Sequence, residues 1–123
     1  RIGYTGMTKS KNHIYVAGFN FILQINRKDL KINKIISCSL MNDLHSIFFY
    51  KNHIYFIVPG IDSVVKITTD GKIIRIMTID NKLNVKINDK KLLNKDIRFR
   101  KKIKRGPTGY FHINFIRIKN QII

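Results

Sequence analysis

The chain of 123 residues reads as all-β, and three observations carry that reading. First, it contains no Glu and a single Ala, so it has given up the strongest helix formers, while 24 Ile stand beside abundant Val, Thr, Phe and Tyr. Second, apolar runs of four to seven residues alternate with turn signals along most of its length. Third, the pentapeptide "KNHIY" occurs at 11–15 and again at 51–55, which marks an internal repeat of about 40 residues.

The elements follow in order. A first unit, about 4–40, reads as strand "YTGMTK", turn "SKN", strand "HIYVAG", a turn around Gly18–Asn20, strand "FILQIN", turn "RKDL" and strand "KINKIISCSL". A second unit, about 42–80, reads as "DLHSIFFY", turn "KN", "HIYFIV", turn "PGID", "SVVKIT", turn "TDG" and "KIIRIMTI". Asp70 and Gly71 in "TDG" are expected to supply the positive φ angles of a tight hairpin. A basic insertion spans 81–107, and a third unit starts at 108–123 with "YFHINFIRI". The chain opens on Arg1 without an initiator Met and stops inside an apolar run, so it reads as one partial domain of a longer protein.

Four antiparallel strands repeating every 40–45 residues is the period of a β-propeller blade. One such blade cannot cover both of its faces, so neighbours must stack around an axis. The expected fold is therefore a propeller fragment of four-stranded antiparallel blades, two complete and a third begun, with the basic insertion between blades and the remaining blades of the same parent chain as partners.

The residues "NDLHSI" and "KNHIYFIVPGIDSVVKITTDGKI" at 42–47 and 51–73 resemble the blade pattern of six-bladed propellers of the NHL, gluconolactonase and related uncharacterised types. The later "HINFIRIKNQII" at 112–123 resembles the opening of another blade. The resemblance covers 4–80 and 108–123. It implies a six-bladed fold but leaves activity open, because those propellers include hydrolases, lyases, transferases and pure binding modules. Phe115, where a small residue is usual, and the basic insertion depart from the pattern.

In a propeller the innermost strand of each blade lines a channel. Asp43 and His45 are two apart, as are His112 and Asn114, so strands there would present each pair on one face. These four are the candidate channel-facing ligand residues. Asp, His and Asn together can bind a divalent metal, orient a water, or serve as general base and orienter. The first unit offers Tyr4 and Thr5 at the corresponding place. His13 and His53 occupy matched repeat positions and are expected at strand edges; Asp62 and Ser63 in "PGIDSV" are expected to form an Asx-type turn. Cys38, the single cysteine, excludes an internal disulfide and any multi-Cys zinc motif, and in "IISCSL" it reads as a buried strand residue. Nucleophile-elbow, P-loop, H-E-x-x-H and dinucleotide-binding motifs are absent.

Formal net charge is +17, and the 27 residues 81–107 hold +9 of it. Such a segment reads as a solvated basic insertion that attracts anions. Arg100, Lys101, Lys102, Lys104 and Arg105 are the candidate anion-binding residues, forming a cationic rim beside the channel mouth. Phe99 is the segment's one aromatic residue, too few for base-stacking platforms, and no recognition-helix or RRM-like signature occurs, so nucleic acid is not the expected partner. An acidic protein, a glycan or a small anion fits better. No signal peptide is present in these residues, and no run of about 18 apolar residues could span a membrane. Two functions remain: a propeller binding or scaffold module, which is favoured, and a propeller enzyme using Asp43, His45, His112 and Asn114 with or without a divalent metal.

Overall fold

The computed structural model describes residues 4–101. They form two antiparallel meanders. The first sheet contains β1 (Gly6–Lys9), β2 (His13–Ala17), β3 (Ile22–Asn26) and β4 (Ile32–Ile36), hydrogen-bonded in sequence order. The second contains β5 (Ile47–Tyr50), β6 (His53–Val58), β7 (Ser63–Thr68), β8 (Ile73–Ile79) and β9 (Val85–Ile87), again in order. A single helical turn, α1 (Lys90–Leu93), follows, with the Asp89 carboxylate capping it by accepting from the Lys91 amide. Among the described residues no helix is long and apolar enough to cross a membrane.

Alternation along the strands decides which side of each sheet is buried. The pairing register groups one face of the second sheet into two rows, Ile47–Phe56–Val65–Ile76 and Phe49–Ile54–Ile67–Ile73. All eight are apolar, and six are at most 4 % exposed. They pack on the face of the first sheet that carries Tyr15, Ala17 and Ile22, where Tyr15 and Phe49 stack with ring centroids 5.5 Å apart. Fully burying a side chain such as Phe56 or Ile54 stabilises by about 1.5–3 kcal/mol, so this inter-sheet layer dominates the fold's stability. A Lys34–Asp70 ion pair of 2.7 Å also crosses from sheet to sheet, but it is exposed and adds little.

The first strands of the two sheets, β1 and β5, run side by side in the same direction. The Thr5 hydroxyl donates to the Leu44 carbonyl, and the Phe49 amide donates to the Thr8 hydroxyl at 3.1 Å. Gly6 eases this approach, since a Cβ there would lie a tight 3.2 Å from the His45 carbonyl oxygen and push the two strands slightly apart.

Each expected strand of 4–80 is present, and the turns differ in instructive ways. In the second "KNHIY", Lys51 and Asn52 both have positive φ (47° and 63°), the twist-matched geometry of a two-residue hairpin. In the first copy neither Lys11 nor Asn12 does; the Ser10 hydroxyl instead accepts from the His13 amide, and Arg27 donates to the Ser10 and Lys11 carbonyls. In "TDG" only Gly71 has positive φ, at 93°, whereas the Thr68 hydroxyl accepts from the Asp70 and Lys72 amides.

The basic segment 81–107 is more than a solvated loop where the structure describes it. Val85–Ile87 extends the second sheet as a fifth strand, and Asn88 continues the pairing by accepting from and donating to the Ile76 backbone. Beyond it, Leu92 and Ile97, 4 % and 2 % exposed, join the main core cluster. Apolar residues spaced through a cationic run thus anchor it while the lysines stay in water.

Candidate functional site

The candidate site lies at the end of the two sheets where β1 and β5 begin. It is built on the loop Met41–Ser46, which leads into β5. Leu44 is fully buried, and its amide donates to the Phe19 carbonyl at 3.2 Å. Ser46 accepts from the Ile57 amide. Just before these anchors Asp43 takes a left-handed conformation, φ 53°, that an Asp tolerates better than most residues.

Asp43 and His45 precede β5 rather than lying on it, so strand alternation does not bring them together. The turn does. His45 Nε2 donates to Asp43 Oδ2 at 3.2 Å, with Asp43 3 % exposed and His45 largely enclosed. A carboxylate only accepts, so this contact makes Nε2 the protonated nitrogen and sets the imidazole tautomer. Asp62, also left-handed (φ 46°) and fully buried, sits in the β6–β7 turn at the same end of the second sheet, where its carbonyl accepts from the Ile79 amide. Beside it the Ser63 hydroxyl donates to the Ile61 carbonyl and meets the Thr78 hydroxyl at 2.7 Å.

The cationic residues reach this end by a clamp. The buried Asn42 amide donates to the Ile97 carbonyl at 2.9 Å and to the Arg100 carbonyl at 3.1 Å. The Ile97 amide donates to the Ser39 carbonyl at 2.8 Å, and the Asn20 amide donates to the Arg98 carbonyl at 2.9 Å. Residues 97–100 are thereby strapped across the loop that carries Asp43 and His45. Arg98 donates through Nη2 to Asp96 at 2.7 Å, and that side-chain bond first, then the Arg98 backbone amide, holds the Asp96 carboxyl below the usual carboxylate range. The same pairing raises the Arg98 guanidinium further. Arg100 and Lys101 are exposed.

Of the residues singled out in the sequence, Asp43 and His45 are brought into contact, and Arg100 and Lys101 lie on or next to the strap. His112, Asn114, Lys102, Lys104 and Arg105 lie outside the described residues. His13 and His53 open β2 and β6 at the opposite end, as expected of strand-edge positions; His53 Nδ1 donates to the Lys51 carbonyl at 2.9 Å. Cys38 is buried, but in the loop after β4 rather than in a strand, and burial pushes its thiol up to about 11. A thiol so raised is a poor nucleophile at neutral pH.

Asp43 and His45 alone are a two-donor set, and among the described residues no group of three His, Cys, Asp or Glu could hold a metal ion. Sequence reasoning missed Asn20 and Asn42, the side chains that fasten the basic strap. The available signal was the isolated Leu92 and Ile97 within a cationic run, which had to be buried somewhere and therefore had to return to the sheets. Compared with known proteins, the chain matches no family model and no curated protein.

Proposed function

We propose that this chain is part of a β-propeller-type binding module that captures an anionic partner at the end of the sheets where residues 97–100 are strapped. The observation that carries the reading is the Asn42 clamp, which holds a cationic segment at a defined place instead of leaving it free in water. The propeller component is supported by two successive antiparallel meanders, of four and five strands paired in sequence order, that pack face to face and bring their first strands side by side. Arg100 and Lys101, with the neighbouring Lys102, Lys104 and Arg105 of the sequence, supply the charge. The partner is an acidic protein surface or a sulfated or phosphorylated glycan, bound mainly by Coulomb attraction that salt screens.

One observation favours a second reading as an enzyme. An Asp that fixes a histidine tautomer is the orienting half of a general base, and Asp43 and His45 have that relationship. Under this reading the imidazole takes a proton from a bound hydroxyl or water, and the cationic strap holds the substrate's anionic group.

Retention on immobilised heparin separates these readings from a bulk charge effect. Neutralising Arg100, Lys101, Lys102, Lys104 and Arg105 to Gln should bring elution to markedly lower salt. Neutralising five exposed lysines elsewhere, Lys11, Lys28, Lys31, Lys51 and Lys72, to Gln should change it little, and His45→Ala should leave it unchanged. Equal losses from the two sets of neutralisations would show that net charge alone drives binding and would reject a localised site.

A further inference from the structure

At the end of the sheets away from the strap, a cavity of about 470 Å³ opens between the turns of the two "KNHIY" copies. That volume falls in the range that takes a small molecule. Asn12 and Asn52, the second residue of each copy, flank its exposed mouth together with the Lys11 ammonium. The mouth is fixed in shape, because Arg27 donates to the Ser10 and Lys11 carbonyls. Deeper in the cavity lie Tyr15 and Gln24, 2 % and 4 % exposed, and the half-buried Phe49, whose ring stacks on Tyr15. None of the residues lining it carries a carboxylate.

The buried polar groups form a relay with a direction. Asn33 Nδ2 donates to Gln24 Oε1, and Gln24 Nε2 donates to the Tyr15 hydroxyl at 3.1 Å. The relay consumes acceptors at each step and ends on the Tyr15 hydrogen, which has no acceptor among the described residues. The second hydrogen of the Gln24 amide is in the same position. Two enclosed donors are therefore left for something in the cavity that both side chains line. The second sheet lacks this device: the register-equivalent pair there is Tyr55 and Lys66, and the lysine lies over the ring instead.

We propose that this cavity binds a small organic carboxylate with a flat apolar body. A carboxylate only accepts, so its two oxygens match the two donors left by Tyr15 and Gln24. Lys11 supplies the opposite charge at the mouth, and Arg27 and Lys28 line an adjoining cleft, beside an Asp29 carboxylate that accepts from the Lys31 amide. Phe49 offers an apolar wall to the rest of the ligand. A sulfate or phosphate group would bring more oxygens than two enclosed donors can meet, and would leave Phe49 without a role. This site lies at the opposite end from residues 97–100 and does not depend on polyanion capture there.

Titration of the 123-residue chain with benzoate at about 0.15 M salt, followed by amide chemical shifts, is the test. The expected result is saturable shifts confined to the neighbourhood of His13, Gln24 and Asn52, including the Gln24 side-chain amide. Tyr15→Phe keeps the stacked ring and removes the donor, so it should weaken benzoate by at least about tenfold. Tyr55→Phe should change nothing. Lys11→Gln, at an exposed position that cannot unfold the chain, should weaken benzoate by about two- to fivefold and leave the weaker binding of uncharged benzamide unaltered. Wild-type shifts that do not saturate, or that spread over lysines around the surface, would overturn the proposal. So would a folded Tyr15→Phe that binds benzoate like wild type. If that variant loses its fold, Lys11→Gln carries the decision, and unchanged benzoate affinity in it would reject the site.

Discussion

Replacing Asn42 by Ala tests whether the basic segment is held or merely nearby. The amide makes two hydrogen bonds, to the carbonyls of Ile97 and Arg100, from a position 1 % exposed. A neutral intramolecular hydrogen bond contributes a net of about 0.5–1.5 kcal/mol, so losing the pair costs the strap about 2 kcal/mol. That magnitude corresponds to roughly a 30-fold shift toward the undocked strap. The readout is hydrogen exchange of the Ile97 amide, which donates to the Ser39 carbonyl and opens only when the strap lifts. Exchange at Ile97 should accelerate by about that factor, while amides inside the β6–β7 ladder stay protected. Heparin retention should fall as well, because the cationic group is no longer held in one place. If Ile97 exchange is unchanged, the clamp contributes nothing and the localised-site argument fails with it.

Two other outcomes follow from single residues. Burial raises the Cys38 thiol to about 11, from its ordinary value of 9.0, so the neutral form is favoured in the folded state. Stability from this residue is fully present below pH 9 and is lost as pH rises through 9 to 11, by about 2–3 kcal/mol in all. Denaturant melts of wild type and Cys38→Ala across that range should converge by this amount, and parallel curves would contradict the burial. Leu83 has φ 64° in the β8–β9 turn and is 71 % exposed, so it bears the steric cost of a left-handed backbone without packing in return. Leu83→Asn should raise stability by about 0.5–1 kcal/mol, measured as a higher denaturation midpoint, and a lower midpoint would show that the leucine packs after all.

How much was legible depended on how local the cause was. β6 and β7 coincide with the "HIYFIV" and "SVVKIT" runs because short apolar alternation bounded by turn residues is a property of neighbours in sequence. The position of Asp43 was not legible in the same way. Its spacing to His45 suggests a strand, but the chain must turn after Leu40 and Met41 enter the core, and the left-handed backbone at Asp43 results from that turn. The fate of the basic segment was equally non-local. Its charges were plain in the sequence, while its attachment depends on Asn42 meeting carbonyls 55 and 58 residues away.

The repeated pentapeptide shows where sequence identity stops determining geometry. Both copies begin a strand with His, bury or half-bury the next apolar residue and follow it with Tyr. Yet Tyr15 lies in the inter-sheet layer, where its hydroxyl accepts from the Gln24 amide, and Tyr55 lies on the far face beneath Lys66. Equivalent positions differ because the first sheet has a neighbouring sheet on that side, in the second sheet, whereas Tyr55 packs against a lysine. The two turns diverge for the same kind of reason. Ser10 carries on its Cβ a hydroxyl that takes the His13 amide, and Tyr50 at the matching position of the second copy carries a ring there instead; in that copy the backbone itself twists into positive φ. A five-residue match therefore specifies strand start and side-chain alternation, while one residue outside it selects the turn. It follows that Ser10→Ala should weaken the first hairpin only, read as faster exchange of the His13 amide with the β6–β7 amides unchanged.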